Sequence, residues 1–270
     1  MAGWRTLTLD YRGIGQSRPA DLRQLRLDYF DWGRLDLAAA LTRMTDPDRA
    51  LFVVGHSYAG HAFGVVPAPW RVDGLFTFGT GAGWHGWMPR LEQLKVLALW
   101  HGLGPIVTRT NGYLRWSLLG MGEDLPLDFY RQWKHWCRNP HHFLDDGSMR
   151  HVAAAFARVR VPILAANAVD DRWSPPRSRD AIMTAYRNVR VQTLDLVAAD
   201  HEMDGIGHMG YFRGDATRLW DLALNWFERI TPLPATRACR SWSSEAMTST
   251  SANWPGTSDG WGCTMTSPSI

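Results

Sequence analysis

The chemically most suggestive stretch of the chain is Gly55-His56-Ser57-Tyr58-Ala59-Gly60, which directly follows the apolar run Ala50-Leu51-Phe52-Val53-Val54. A serine on a tight turn between a buried strand and a helix is pushed out of the sheet with its hydroxyl exposed. Small residues two before and two after it let strand and helix approach closely. Gly55 and Ala59 hold those two positions, the second as Ala rather than Gly, with Gly60 behind it. The helix starting after Ser57 would also aim backbone N–H groups, that of Tyr58 first, at an oxyanion developing beside the serine. A serine hydroxyl is a weak nucleophile until a base takes its proton. A neutral imidazole does this near pH 7, and a carboxylate fixes its tautomer. The competing interpretation is a chance Gly-x-Ser-x-Ala in an ordinary turn; its place between strand and helix argues against that.

The elements that would hold such a turn are read from periodicity. Thr6–Leu9 alternates and suits a strand; Tyr11 to Pro19 is a Gly-punctuated loop. Residues 34–44 place Leu35, Ala38, Ala39 and Thr42 on one helical face, and Asp46-Pro47-Asp48 ends that helix. Residues 50–54, 72–78, 161–168 and 189–197 read as strands, 176–187 and 214–229 as helices. Strands alternating with helices predict an α/β fold with a mostly parallel sheet. Residues 84–157 interrupt the rhythm with a helical, aromatic insertion that holds six of the 15 Trp. Residues 235–270 carry eight Ser and six Thr with no period, and the tail 234–270 is expected to be disordered.

Composition removes other classes. With 45% hydrophobic and 20% charged residues among 270, the chain can build a sizeable core. A net charge of +3 with no basic run gives no reason to expect nucleic acid. Cys137, Cys239 and Cys263 form neither a disulfide framework nor a Cys-x-x-Cys pair. With no signal-peptide pattern, a cytoplasmic protein is expected. No apolar stretch reaches the roughly 18 residues of a transmembrane segment. His56/His61 and His141/His142 lack a third ligand at metal spacing, so neither metal nor cofactor is expected.

Asp10-Tyr11-Arg12-Gly13-Ile14-Gly15-Gln16-Ser17, together with the serine turn, resembles the α/β-hydrolase superfamily, in its serine aminopeptidase-like and lipase-like branch, over roughly residues 4–230. The resemblance implies an α/β-hydrolase sheet flanked by helices, with core residues 1–83 and 158–233 and a Trp-rich helical cap at 84–157. It implies Ser57 as nucleophile and an acid after the strand 161–168. Asp171 fits, with Pro175 four further on, and Asp170 is the adjacent alternative; both could instead be turn-forming aspartates. The base would be His208 in Gly207-His208-Met209-Gly210-Tyr211-Phe212, similar to the family's GHxGFF form, with His201 a weaker candidate. The order Ser57, Asp171, His208 is the order this fold uses.

A Ser at the turn implies an acyl-enzyme formed from a small-molecule ester, thioester or amide. Trp84, Trp87 and Trp100, with Trp133 and Trp136, could line an apolar acyl pocket, although packing of the cap accounts for indoles equally well. The family places further strands and an oxyanion loop ahead of the Asp10 loop, whereas here Met1 stands three residues before the first strand. The expectation is an N-terminally truncated sheet, early strands missing, and no second oxyanion donor. A catalytically impaired fragment or binding module stays as the alternative, an acyltransferase as a third. Oligomeric state is unknown from sequence.

Overall fold

The computed structural model describes residues 4–67, 71–120, 122–230, 252–253 and 262–264 of the 270. Four strands form a parallel sheet in the order β2 (Phe52–His56), β3 (Gly74–Phe78), β4 (Ile163–Ala168), β5 (Gln192–Leu196). Strand follows strand through helices: α2 (Ala59–Gly64) after β2, α7 (Pro176–Met183) after β4, and α8 (Thr217–Ile230) after β5. Each central strand is buried on both faces, which explains its unbroken apolar reading. Successive side chains point to opposite faces. Leu75, Ile163 and Ala165 join one core layer with Phe63, Phe156, Ile182 and Tyr186; Phe76, Phe78, Leu164 and Ala166 join the other, with Leu219, Trp226 and Phe227 of α8. At roughly 25 cal/mol per Å² of apolar surface, these two layers supply most of the drive to fold.

The helix expected at 34–44 begins earlier, as a π-helical turn at Trp32–Leu37 that continues into α1 (Ala38–Met44). Residues 84–157 hold α3 (Arg90–Ala98), a π-helical turn at Leu99–Leu103, α4 (Gly104–Asn111), α5 (Leu127–Trp136) and α6 (Arg150–Phe156). They carry their own core of Met88, Val96, Leu99, Trp100, Val107, Leu114, Trp116 and Tyr130. Phe129, Trp136, Phe143 and Phe156, by contrast, pack into the layer beneath the sheet, with Phe30 and Trp32. Among the described residues no helix is long and apolar enough to cross a membrane.

One expectation is corrected. The strand expected at Thr6–Leu9 shrinks to β1 (Thr8–Leu9) and does not join the parallel sheet; it pairs antiparallel with β7 (Gly262–Thr264). Alternation alone does not fix which edge a strand joins: β2 is an edge strand of the parallel sheet, and β1 pairs with β7 instead. Within the tail, residues 234–270, β6 (Ala252–Asn253) pairs with β7. The rest of that tail lies outside the described residues.

The loop ahead of α1 is fixed by charge. Arg12 donates to the buried Asp36 carboxylate from its backbone N–H at 2.9 Å, from Nε at 2.9 Å and from Nη2 at 2.8 Å. Burial raises the Asp36 pKa, and Arg12 opposes that rise. Asp10 accepts from the Gln16 amide at 2.9 Å. Gly15 sits at φ +51° with the Asp10 carboxylate where a Cβ would be, so only glycine fits there.

Candidate active site

Ser57 ends the β2 turn at φ +50°, a left-handed conformation uncommon for a residue other than glycine. Both of its backbone polar groups are tied to the end of β3. Its N–H donates to the Phe78 carbonyl at 2.8 Å, and its carbonyl accepts from Thr80 Oγ1 at 2.8 Å. A strained conformation persists where surrounding bonds over-determine it, and these two do so. The small flanking residues have a steric cause. A Cβ on Gly55 would stand 2.2 Å from the Ala59 Cβ, and one on Gly60 2.4 Å from Thr80 Cγ2. Gly55→Val is therefore expected to destabilise the fold by about 1–3 kcal/mol or more through overpacking. Thermal unfolding of the variant measures it, and an unchanged Tm would refute the close approach.

Three side chains from distant parts of the chain meet beside this turn. His208 Nε2 lies 3.1 Å from Ser57 Oγ, and His208 Nδ1 lies 2.8 Å from Asp171 Oδ2. A carboxylate only accepts, so the bond to Asp171 puts the imidazole proton on Nδ1 and leaves Nε2 free to accept from the Ser57 hydroxyl. Asp171 is 1% exposed and fully engaged. Its Oδ1 accepts from the amides of Trp173 at 2.9 Å and Ser174 at 2.8 Å, while Tyr211 donates its hydroxyl to Oδ2 at 3.3 Å. Asp170 faces elsewhere. It accepts from the amides of Ile206 at 2.9 Å and Gly207 at 3.0 Å, holding the loop that carries His208. The two adjacent aspartates thus touch different parts of that loop, one its imidazole and one its backbone. His201 makes no hydrogen bond or ion pair with Ser57 or Asp171 among the described residues.

Several residues at the site gave no signal, or a misleading one, in the sequence. His56 Nε2 donates to the His208 carbonyl at 2.7 Å, and the two rings lie 5.0 Å apart. Burial first, and then the neighbouring His208, pull the His56 pKa down to about 4, so it is a neutral donor near pH 7. Trp173 stacks on His208 at 6.2 Å and 24°. It also packs against the core of the 84–157 helices, facing Trp116 edge-on. The Tyr211 hydroxyl accepts from the Ala168 amide at 2.9 Å while donating to Asp171. Its only signal was a Tyr where the similar pattern has its first Phe. The Tyr58 N–H has no acceptor among the described residues and lies next to Ser57.

The expected pocket indoles divide. Trp100 is buried among the 84–157 helices, its ring against those of Tyr130 and Trp133. Trp84 and Trp87 are half-buried and meet edge-on at 5.2 Å, with Trp87 Nε1 donating to the Pro140 carbonyl at 2.9 Å.

A serine turn after the first strand of a parallel sheet, with a histidine from the loop after β5 and an aspartate from the loop after β4, is an arrangement that sequence families can be matched to directly. The profile of the Alpha/beta hydrolase family matches residues 1–218. The chain belongs to the α/β-hydrolase family. No curated protein matches this α/β-hydrolase in sequence. Solved structures do resemble it. A bromoperoxidase from Bacillus anthracis is 15% identical, with 84% of this chain and 83% of that one covered and a TM-score of 0.50. The mouse Alpha/beta hydrolase domain-containing protein 10 is 15% identical, with 82% and 77% covered and a TM-score of 0.47. A monoacylglycerol lipase from Paleococcus ferrophilus is 10% identical, with 75% and 76% covered and a TM-score of 0.43. The first of these likenesses is one of fold, and it places the α/β-hydrolase sheet described above among known structures of that architecture.

Proposed function

We propose that this α/β-hydrolase is a serine hydrolase that cleaves a small-molecule ester, thioester or amide through an acyl-enzyme. The observation that carries the reading is the pair of bonds on one imidazole, 3.1 Å to Ser57 Oγ and 2.8 Å to Asp171 Oδ2. In this reading His208 takes the Ser57 proton as the hydroxyl adds to the acyl carbon, and the Asp171 carboxylate stabilises the imidazolium. The Tyr58 N–H donates to the oxyanion, a contribution worth about 2.7–4 kcal/mol per donor. His208 returns the proton to the leaving alcohol, thiol or amine. Water, deprotonated by the same imidazole, then releases the acid and regenerates Ser57. Residues 84–157 act as a cap over a core made of 1–83 and 158–233, and the half-buried indoles Trp84 and Trp87 suit an apolar acyl group.

The test is labelling with a fluorophosphonate, which phosphonylates only an activated serine. The wild-type chain is expected to label, and Ser57→Ala to lose labelling entirely while keeping its Tm. A folded wild-type chain that stays unlabelled would reject catalysis and favour a binding module that retains the three residues.

A further inference from the structure

The helices of the 84–157 segment carry an apolar outer surface. From Arg90 to Asn111, α3, the π-helical turn and α4 follow one another without a break. The inner side of this stretch, with Val96, Leu99, Trp100 and Val107, is buried in the cap core. On the outer side Leu91 is 61%, Leu94 66% and Ile106 63% exposed, Leu103 is exposed as well, and Leu118 follows in the next short helix. Clustered exposed apolar side chains mark an interaction surface.

Beside Ile106 the character changes. A groove of about 480 Å³ runs between α4 and α5 and contains none of Ser57, Asp171 and His208. Arg109 lines it from α4. Tyr130, Arg131 and Lys134 line it from one face of α5, with Arg138 just beyond. Arg131 has only a long contact to Asp128, at 3.7 Å, and Arg26 also reaches that carboxylate at 3.4 Å. Arg109, Lys134 and Arg138 have no carboxylate partner among the described residues. The Tyr130 hydroxyl is buried without a hydrogen-bond partner among the described residues. Burial and the nearby Arg138 both lower the Lys134 pKa, a sign of uncompensated positive charge. Like charges crowded in a groove repel unless an anion joins them.

We propose that this face of the cap docks on an anionic lipid surface, with Leu91, Leu94, Leu103 and Ile106 entering the interface and the groove cations taking lipid phosphates. An apolar helical face bordered by Arg and Lys is the surface such lipids recruit. A second copy of the chain meeting this face symmetrically would bring the same cations together, which disfavours it. The docking is independent of the chemistry at Ser57.

Vesicle co-sedimentation tests it, with phosphatidylcholine vesicles and phosphatidylcholine vesicles containing phosphatidylglycerol. The chain is expected to sediment with the anionic vesicles and not with the neutral ones. Lys134→Gln with Arg138→Gln should weaken partitioning roughly 30-fold, at about 1 kcal/mol per basic residue. Leu94→Ser with Ile106→Ser should abolish it, both pairs keeping the wild-type circular dichroism and Tm. Equal binding to both vesicle types, no binding to either, or a dimer in light scattering that Leu94→Ser with Ile106→Ser dissociates would each overturn the proposal.

Discussion

Asp171→Asn is expected to slow acylation of Ser57 by about 10³–10⁴-fold, whereas Asp170→Asn should slow it by about tenfold or less. The asymmetry follows from what each carboxylate touches. Asp171 Oδ1 accepts from the Trp173 and Ser174 amides, so an asparagine would keep its carbonyl oxygen there. Its NH₂ would then replace Oδ2, facing His208 Nδ1 at the former 2.8 Å. A donor at that position requires Nδ1 to accept, which moves the imidazole proton to Nε2. A protonated Nε2 cannot take the Ser57 proton, so the base is present in the wrong tautomer. At Asp170 an asparagine oxygen can still accept one of the two amide bonds from Ile206 and Gly207, and the loss is one of loop placement alone. Rates of fluorophosphonate labelling for the two variants measure this. The reverse order would assign the imidazole's partner to Asp170 and remove the mechanism proposed for Asp171.

The second large effect is on stability at acid pH. His61 and His142 are buried with their rings 4.7 Å apart, among Tyr29, Trp136 and Phe143. His61 Nε2 donates to the Gly81 carbonyl at 3.0 Å; among the described residues its Nδ1 has no hydrogen-bond partner, and neither nitrogen of His142 has one. Burial lowers the pKa of His61 to about 4 and that of His142 well below its ordinary value; His56 is lowered to about 4 as well. These groups stay neutral in the folded chain, while in the unfolded chain they take up protons near pH 6.5. Below pH 6.5 the unfolded state therefore binds more protons than the folded one, and stability falls with pH down to about 4. For His61 the shift corresponds to about 3 kcal/mol across that window. All three together could steepen the loss to about 4 kcal/mol per pH unit. Against a total of about 5–15 kcal/mol, a loss of this kind lowers the urea midpoint steeply between about pH 6.5 and 4. Urea midpoints between pH 7.5 and 4.5 should show the slope, and His142→Asn, which tolerates the φ +57° of this position, should flatten it. An unchanged slope in His142→Asn would remove the buried pair as its cause.

Much of this architecture can be read along the chain because its determinants are local. The central strands are buried on both faces, and that shows as apolar runs. Gly55, Ala59 and Gly60 are small for a steric reason that acts within six residues and against one neighbouring strand. The alternation at Thr6–Leu9 was equally plain and still misled, because a strand's place is decided by the edge it finds, here that of β7. Asp170 and Asp171 could not be separated in sequence, since one residue of offset at the end of β4 decides which carboxylate meets the imidazole and which meets two amides. The indoles were hardest. Trp100 and Trp173 are alike as residues, yet one fills the core of the 84–157 helices and the other lies on His208. The His61–His142 contact joins positions 81 residues apart in the sequence, and each pairs there with a nearer histidine instead.

Ser57 and His208 are separated by 151 residues, and the turn that holds Ser57 is itself closed only by the end of β3. Contacts between such distant positions carry the largest loop-closure cost and form late in folding. Local helices and the β2–β3 pair can assemble without them. A chain that has collapsed with its secondary structure in place, but has not closed this loop, holds an ordinary serine. On the proposed mechanism, labelling of Ser57 during refolding would therefore report the closing of this loop and not the helices that form before it.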